Sequence, residues 1–168
     1  MYAWFFREIP CRTDVSACVA FKNLRLLYVG IAPKSPSSGG TKASRQTLRS
    51  RIRTHYAGNA EGSTLRRTLG CLLARDLGIE LRRTGGGASL TFGDGEGKLS
   101  EWMALNAFVG WLECDEPWVL ERTLLGELDL PLNLAGNHRH AYFATVSRTR
   151  AEAAARARSL PVMRRAHE

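Results

Sequence analysis

Two β-rich runs joined by a short turn constrain the fold of this chain most strongly. The runs cover about residues 15–21 and 26–31, and Lys22 and Asn23 lie between them. This arrangement predicts an antiparallel hairpin near the start of the chain. Its second strand would carry Tyr28 and, two residues later, Gly30, where the backbone or a substrate can approach closely.

The segments after this hairpin alternate between helical and β-like patterns. Residues 33–41 are rich in Pro, Ser and Gly and are predicted to form an exposed loop. A helix is predicted from about Ser44, whose hydroxyl can cap it, to about Tyr56, with Leu48, Ile52 and Tyr56 on its apolar face. Further helices are predicted for residues 63–76, 98–106, 115–128 and 144–158, and further strands for residues 79–83, 88–92 and 108–114.

This order of elements predicts an α+β fold, in which a small, mainly antiparallel β-sheet is flanked by helices. The chain has 168 residues, of which 44% are hydrophobic, and this suits one compact domain with a genuine core. We therefore predict a single domain over residues 1–160, with an inserted segment at about 57–100. Residues 161–168 are predicted to be a flexible tail.

A strong positive charge indicates a polyanionic partner. The formal net charge of +8 comes almost entirely from arginine, whose forked guanidinium matches the geometry of phosphate groups. The predicted nucleic-acid contacts are three arginines of the first helix, two arginines of the insert and two histidines of the loop after Pro131: Arg45, Arg49, Arg53, Arg66, Arg67, His138 and His140. A well-solvated basic surface is the alternative, which charge alone does not exclude.

Cysteine usage and hydropathy predict a cytoplasmic protein with reduced thiols and no membrane partner. The four cysteines form no C-x-x-C pair and have no histidine at metal-ligand spacing, so a zinc site is not expected. The first ten residues are apolar but carry no basic leader and no small-residue cleavage site. No apolar run approaches the roughly 20 residues that a membrane span needs.

Arg51 and His55 lie one turn apart on the first predicted helix, so both project from the same side, beside its apolar face. An arginine in this position can hold a phosphate group and stabilise the charge that develops on it. A histidine whose pKa is near the ordinary value of about 6.5 can take a proton from water. The alternative for both residues is an ordinary pair on a helix surface.

Glu121 is the most conspicuous single residue, because it interrupts an apolar helical face that Trp118, Leu125 and Leu128 share with it. A buried carboxylate needs a partner, since burying an unpaired charge is strongly unfavourable. A hard divalent cation such as Mg²⁺ is one such partner. A salt bridge to an arginine is the other partner that the sequence leaves open.

Asn133 and Tyr28 complete the set of candidate site residues. Asn133 follows the rigid Leu-Pro-Leu sequence of residues 130–132, and its amide could orient the carboxylate or brace the loop by hydrogen bonds to the backbone. The phenol of Tyr28 could bind an attacking water molecule or help to deprotonate it. A turn-forming asparagine and a core tyrosine are the structural alternatives.

Taken in order, these residues resemble the motifs of the GIY-YIG nuclease superfamily, which includes restriction enzymes, homing endonucleases and the nuclease half of bacterial excision-repair incision proteins. The Leu-Tyr-Val-Gly sequence of residues 27–30 resembles the second half of the name motif. Residues 48–56 resemble the helix that supplies the catalytic arginine, here Arg51, with His55 following it. Glu121 resembles the metal-binding glutamate, and Asn133 resembles the asparagine that follows that glutamate. The resemblance covers residues 16–140.

The resemblance implies hydrolysis of phosphodiester bonds in DNA with one divalent metal ion. Glu121 would hold Mg²⁺ or Mn²⁺ against the scissile phosphate, and Arg51 would stabilise the transition state. Tyr28 and His55 would position and activate water, while Asn133 would brace the site. The fold that the resemblance implies, a small antiparallel sheet flanked by helices, agrees with the order of elements predicted above.

The first half of the name motif is missing from the place where the resemblance expects it. The first hairpin strand should carry Gly-x-Tyr, but residues 16–19 are Ser-Ala-Cys-Val. Tyr2 is a substitute only if the first strand lies earlier in the chain. A nucleic-acid-binding module without catalysis is therefore an alternative to a DNA endonuclease, and RNA is an alternative substrate. The sequence does not distinguish repair from restriction or from a role in a mobile element.

Overall fold

A computed structural model of the protein describes residues 1–10, 12, 14–33 and 46–163. Their contacts divide the chain into two compact units: unit 1 comprises Met1–Arg53 and Asn106–Phe143, and unit 2 comprises Thr54–Leu105 and Ala144–Glu168. The sequence predicted one domain with an insert at about 57–100, and this insert lies wholly within unit 2. The boundary between the units falls within the first helix.

The strands and helices follow one another as expected for the α+β class, which the structure confirms. In chain order they are β1 (Tyr2–Phe6), β2 (Ala20–Phe21), β3 (Leu24–Gly30), α1 (Leu48–Ala57), α2 (Thr64–Leu72), α3 (Ala74–Leu77), β4 (Arg82–Thr84), β5 (Ser89–Thr91), α4 (Gly95–Asn106), β6 (Ala107–Trp111), α5 (Pro117–Glu127) and α6 (Phe143–Ser159). None of the helices in the described ranges is long and apolar enough to cross a membrane.

Unit 1 is built on an antiparallel sheet with the strand order β2-β3-β1-β6. The predicted hairpin is present as β2 and β3, and its turn residue Lys22 has a positive φ of 54°. The central strand β1 was not predicted, although it pairs with both β3 and β6. Tyr2 lies directly opposite Gly30 on β3 and opposite Trp111 on β6.

The core of unit 1 fixes helix α5 against this sheet. Met1, Leu26, Val29 and Leu130 form a buried cluster. The leucines of α5 and its end that pack against this cluster are Leu120, Leu124, Leu125 and Leu128. Helix α5 is therefore held by its apolar side, and this determines where Glu121 lies.

Helix α1 begins later than predicted within the described residues. Thr47 caps it, since the Thr47 Oγ1 accepts a hydrogen bond from the Ser50 backbone N–H at 3.1 Å. The predicted cap, Ser44, lies outside the described residues. The predicted apolar face is only half buried, at Leu48 and Ile52 as at Tyr56, whereas the polar side chain of His55 is fully buried.

Unit 2 contains the predicted second helix in two pieces. Ser63, where the helix was predicted to begin, caps α2, because its Oγ accepts a hydrogen bond from the Arg66 backbone N–H at 3.0 Å. The helix is interrupted at Leu73, and α3 then ends at Gly78, which adopts a left-handed conformation with φ 59°. Strands β4 and β5, which fall in two of the predicted strands, pair as an antiparallel hairpin.

The first residues of the predicted flexible tail are bound within unit 2. The Arg82 side chain donates to the Pro161 carbonyl oxygen at 3.0 Å, and the Met163 backbone N–H donates to the Arg83 carbonyl oxygen at 2.8 Å. Met163 also forms a parallel bridge with Thr84. The prediction of a free tail from residue 161 is therefore wrong for residues 161–163, while residues 164–168 lie outside the described residues.

Candidate active site

A hydrogen-bonded network joins Tyr2, Tyr28 and Arg51 in unit 1. The Arg51 Nε donates to the Tyr2 hydroxyl oxygen at 3.4 Å. The rings of Tyr2 and Tyr28 are stacked, with centroids 6.5 Å apart and planes inclined by 28°, and the two hydroxyl groups are hydrogen-bonded to each other. Three segments of the chain, β1, β3 and α1, thus bring one polar group each to the same place.

Gly30 provides the space that the Tyr2 phenol occupies. It lies directly opposite Tyr2 in the sheet, and a Cβ atom on Gly30 would lie only 2.5 Å from the Tyr2 hydroxyl oxygen. Such a contact is far shorter than van der Waals separation allows. A side chain at position 30 would therefore displace the phenol from Arg51.

Tyr2 lies on the strand next to β3, where the resemblance expects the first tyrosine. Residues 16–18 form a turn before β2, so they do not lie in the strand next to β3. That place is taken by β1, and Tyr2 is its first residue. The assignment of the first half-motif to residues 16–19 was wrong, because the first strand lies earlier in the chain and pairs across a long sequence separation.

Both phenols are held in their neutral form. Burial raises the pKa of Tyr2, although the hydrogen bond from Arg51 and, more weakly, the one from Tyr28 oppose this rise. Burial raises the pKa of Tyr28 strongly, and the charge of an ionised Tyr2 would raise it further. Arg51 and Tyr28 thus favour ionisation of Tyr2 over that of Tyr28. At neutral pH the pair can orient a water molecule through hydroxyl groups that both donate and accept hydrogen bonds.

Glu121 lies half-buried on α5, where its carboxylate acts electrostatically on both Tyr2 and Tyr28. Burial raises the pKa of Glu121 above its ordinary value, and the positively charged amino group of Met1 partly opposes this rise. Within the described part of the chain, no arginine forms an ion pair with Glu121. The alternative partner predicted for this carboxylate, an arginine, is therefore not found there.

These residues fit a single divalent cation bound mainly through Glu121. No cluster of three or more His, Cys, Asp or Glu side chains that could hold a metal occurs among the residues that the structure describes. A cage built wholly from protein ligands is thus not found in them. Mg²⁺ is commonly bound by one or two carboxylates together with water and substrate phosphates. A partly desolvated carboxylate whose charge acts on both phenols suits that mode of binding.

Asn133 braces the strand that carries Tyr28. Its Oδ1 accepts from the Val29 backbone N–H at 2.9 Å, and its Nδ2 donates to the Val29 carbonyl oxygen at 2.9 Å. Asn137 in turn donates to the carbonyl oxygens of Leu130 and Asn133. Both polar atoms of the Asn133 amide are used in this way, so Asn133 is a positioning residue. Of its two predicted roles, the bracing of backbone is the one observed.

His55 does not occupy the predicted place of a water-activating base. It belongs to unit 2, has 0% of its surface exposed, and its Nδ1 lies 2.7 Å from the Ser63 Oγ. The same Oγ caps α2. A fully buried imidazole does not reach solvent water, so the predicted role in activating water is contradicted. His55 instead ties the last turn of α1 to the start of α2.

Arg66 is also buried, contrary to its predicted contact with nucleic acid. Its guanidinium, with 0% exposure, makes an ion pair with Glu96 at 2.7 Å and donates to the carbonyl oxygens of His55 and Tyr56. The half-buried Arg67 donates to the Ala60 carbonyl oxygen at 3.1 Å. Arg66 therefore stabilises unit 2 and is not available to a phosphate backbone.

The remaining candidates for nucleic-acid contacts differ in exposure. Arg49 and Arg53 are exposed on α1, and Arg45 lies outside the described residues. His138 is exposed, whereas both ring nitrogens of His140 are used within the protein. The His140 Nε2 lies 2.6 Å from the Asp129 Oδ1, and its Nδ1 accepts from the Tyr142 backbone N–H at 3.0 Å. The predicted phosphate contact of His140 is therefore contradicted.

Comparison with known proteins gives one match. The family model described as "GIY-YIG catalytic domain" matches residues 1–152. No curated protein and no solved structure matches the chain. The matched region begins before the range of residues 16–140 over which the resemblance was predicted, and so it includes β1 with Tyr2.

Proposed function

The chain belongs to the GIY-YIG nuclease family, and we propose that it is a divalent-metal-dependent endonuclease that hydrolyses phosphodiester bonds in DNA by a one-metal mechanism. Family membership makes it an endonuclease domain with a nucleic-acid substrate, and the nucleases of this family are generally dependent on a divalent metal. The proposal of metal-dependent DNA cleavage is supported by the network of Tyr2, Tyr28 and Arg51, on which the carboxylate of Glu121 acts electrostatically.

Arg51 is the residue that would bind the scissile phosphate. Its Nε donates to Tyr2, which holds the guanidinium next to the two phenols, and the forked guanidinium matches the geometry of phosphate oxygens. The negative charge on those oxygens increases in the transition state, and a preorganised guanidinium stabilises it without reorganisation.

Tyr2 and Tyr28 would orient the attacking water next to that phosphate. Because their pKa values are raised by burial, the phenols stay protonated at neutral pH and act by hydrogen bonding. Glu121 is the residue that would hold Mg²⁺ or Mn²⁺, and a cation there would neutralise charge on the phosphate and the leaving oxygen. Asn133 keeps Tyr28 in register through its two hydrogen bonds to Val29.

The observation that motivated the alternative, a nucleic-acid-binding module without catalysis, does not hold in this structure. The alternative depended on the absence of the first tyrosine, whereas Tyr2 occupies the strand next to β3 and contacts Arg51. RNA remains an alternative substrate, because nothing in the network of Tyr2, Tyr28 and Arg51 reads the 2′-hydroxyl group. A cytoplasmic location is part of the proposal and is supported by the cysteine usage of the sequence.

The proposal is tested by nicking of supercoiled plasmid with and without Mn²⁺. Wild type should nick the plasmid only with the metal, and Tyr2→Phe, Arg51→Ala and Glu121→Ala should each lose at least about 100-fold in rate. Glu127→Ala, which removes an exposed carboxylate from the same helix, is the matched control and should behave as wild type. Full nicking by Glu121→Ala would refute the mechanism, and cleavage of RNA alone would refute the DNA substrate.

A further inference from the structure

A groove of about 500 Å³ opens at the end of the sheet, beyond Tyr2 and within unit 1. We call it the end groove; its lining includes Met1, Leu48, Arg49, Glu113 and Cys114. Met1 directly precedes Tyr2, and Leu48 lies about one helical turn before Arg51 on α1. The end groove is thus lined in part by the two segments that carry Tyr2 and Arg51.

Trp111 comes two residues before Glu113 in the chain and has a large exposed surface. It lies directly opposite Tyr2 in the register of β1 and β6, and 66% of its surface is exposed. Side chains directly opposite each other in an antiparallel pair project from the same face of the sheet, with Cβ atoms about 5 Å apart. The indole thus projects from the same face as Tyr2, and the chain passes from it into the end groove at Glu113.

The chemistry of this surface suits one nucleotide. An exposed indole offers a flat apolar face, and stacking on aromatic side chains is how proteins bind unpaired bases without reading their sequence. The end groove beyond it combines apolar side chains such as Met1 and Leu48 with the charged Arg49 and Glu113. Arg49 can pair with a phosphate group, and Glu113 can accept a hydrogen bond from the amino group of a base.

We propose that Trp111 and the end groove bind an unpaired nucleotide next to the scissile phosphate, so that the preferred substrate contains a single-stranded nucleotide at the cut. The proposal rests on the proposed nuclease function and names its substrate class. A base inside a duplex is stacked on both sides and paired at its edge, so the indole can reach its face only when the base is unpaired. Arg49, which lines the end groove, can then pair with a further phosphate of the strand, while Arg51 pairs with the scissile one.

Binding without cleavage tests the stacking step. In EDTA, a short single-stranded DNA oligonucleotide should quench tryptophan fluorescence, because Trp111 is exposed while Trp4 and Trp102 are buried and Trp118 is half-buried. A blunt duplex of the same sequence should quench less. Trp111→Ala should lose the quenching and about 10-fold in affinity for the single strand, equivalent to about 1.4 kcal/mol.

Two variants separate stacking from loss of apolar surface. Trp111→Phe keeps an aromatic face and should retain most of the affinity for the single strand, measured by anisotropy of a labelled oligonucleotide. Val119→Ala removes an exposed apolar side chain from α5 in the same unit and should bind as wild type. Equal affinity of Trp111→Ala and wild type for the single strand would overturn the proposal.

The end groove is tested through the thiol of Cys114. Cys18 and Cys71 are buried and Cys114 is exposed, so in a Cys11→Ser background a maleimide should react mainly at Cys114. The single-stranded oligonucleotide should slow the reaction of Cys114 in the Cys11→Ser protein, and it should protect Cys114 less when Arg49→Ala is added to that background. Unchanged reactivity of Cys114 at a saturating oligonucleotide concentration would overturn the placement in the end groove.

Substrate preference and oligomeric state complete the test. With Mn²⁺, wild type should cut a duplex carrying an unpaired nucleotide faster than a fully paired one, and Trp111→Ala should lose this ratio. Equal cleavage rates on both duplexes would overturn the proposed nucleotide site and leave the nuclease function intact. If wild type quenched normally but cut neither duplex, the proposed nuclease function would be refuted and the nucleotide site would not. A concentration-dependent dimer that Trp111→Ala abolishes would overturn the proposal in favour of a second copy of the chain at β6.

Discussion

Gly30→Ala should remove most activity through a single added methyl group. The new Cβ would lie 2.5 Å from the Tyr2 hydroxyl oxygen and 2.6 Å from its Cζ, so the phenol has to move by about 1 Å to regain van der Waals separation. Tyr2 is buried and bonded to Arg51, so this movement breaks the contact between them. A displacement of this size at a reacting centre costs about 100-fold in rate. The crowding itself should lower the free energy of unfolding by about 1–3 kcal/mol.

The assay is single-turnover cleavage of an end-labelled oligonucleotide with Mn²⁺, combined with urea unfolding. Gly110→Ala is the matched control, because a Cβ on Gly110 meets nothing within 4 Å on a strand of the same sheet, and this variant should cleave as wild type. In a Tyr2→Phe background, Gly30→Ala should cost much less in rate, since the hydroxyl group that it displaces is already absent. An active Gly30→Ala, or full additivity of the two substitutions, would refute the account of the site.

Three further predictions concern polar groups, and urea unfolding measures each of them. Asn133→Ala leaves both backbone groups of Val29 without their partner and should lower the free energy of unfolding by about 2–4 kcal/mol, together with the rate of cleavage. Arg66→Ala leaves the Glu96 carboxylate without its ion-pair partner and should lower the free energy of unfolding by about 3–5 kcal/mol. A loss of DNA affinity with an unchanged free energy of unfolding would contradict this prediction. Burial raises the pKa of Glu121 above 4.5, so the folded state binds a proton at this carboxyl group more tightly than the unfolded state does. The free energy of unfolding should therefore fall as the pH rises from 4.5 through the pKa of Glu121 in the folded state. Without metal, Glu121→Gln should therefore be more stable than wild type at neutral pH and gain nothing at low pH, although it is inactive.

Features set by neighbouring residues could be predicted from the sequence. The turn at Lys22 and Asn23 and the start of a helix at Ser63 each depend on contacts within a few residues, and both are observed. Glu121 was recognised because a carboxylate on an apolar helical face is visible in the spacing of a single helix. These signals are local, so one sequence is enough to read them.

Strand β1 could not be predicted in the same way. All five of its residues are apolar, so it shows no alternation of polar and apolar side chains, and its partners β3 and β6 lie far away along the chain. Because β1 was missed, Tyr2 was also missed as a member of the site. The signal that could have found it is the pairing requirement of Gly30, since a glycine in a strand indicates the close approach of another group.

The burial of polar residues could not be predicted from the sequence either. Arg66 was predicted to contact nucleic acid because an arginine in a basic sequence is usually exposed. Its burial depends on Glu96, which comes thirty residues later and supplies the compensating charge. His140 is similar, since Asp129 and the Tyr142 backbone use both of its ring nitrogens. A charge pattern does not reveal such partners, and only the fold brings them together.

The Tyr-Val-Gly triplet of β3 was nevertheless a strong signal, and the structure gives a physical reason for each position. Tyr28 supplies a phenol that hydrogen-bonds to Tyr2. Val29 presents its backbone N–H and carbonyl groups to Asn133, which fixes the strand on both sides of that residue. Gly30 leaves the space that the Tyr2 phenol needs in order to meet Arg51. Three consecutive residues thus provide a hydroxyl group, a backbone anchor and the space for the Tyr2 phenol, so side-chain changes at positions 28 and 30 act on the same pair of hydroxyl groups.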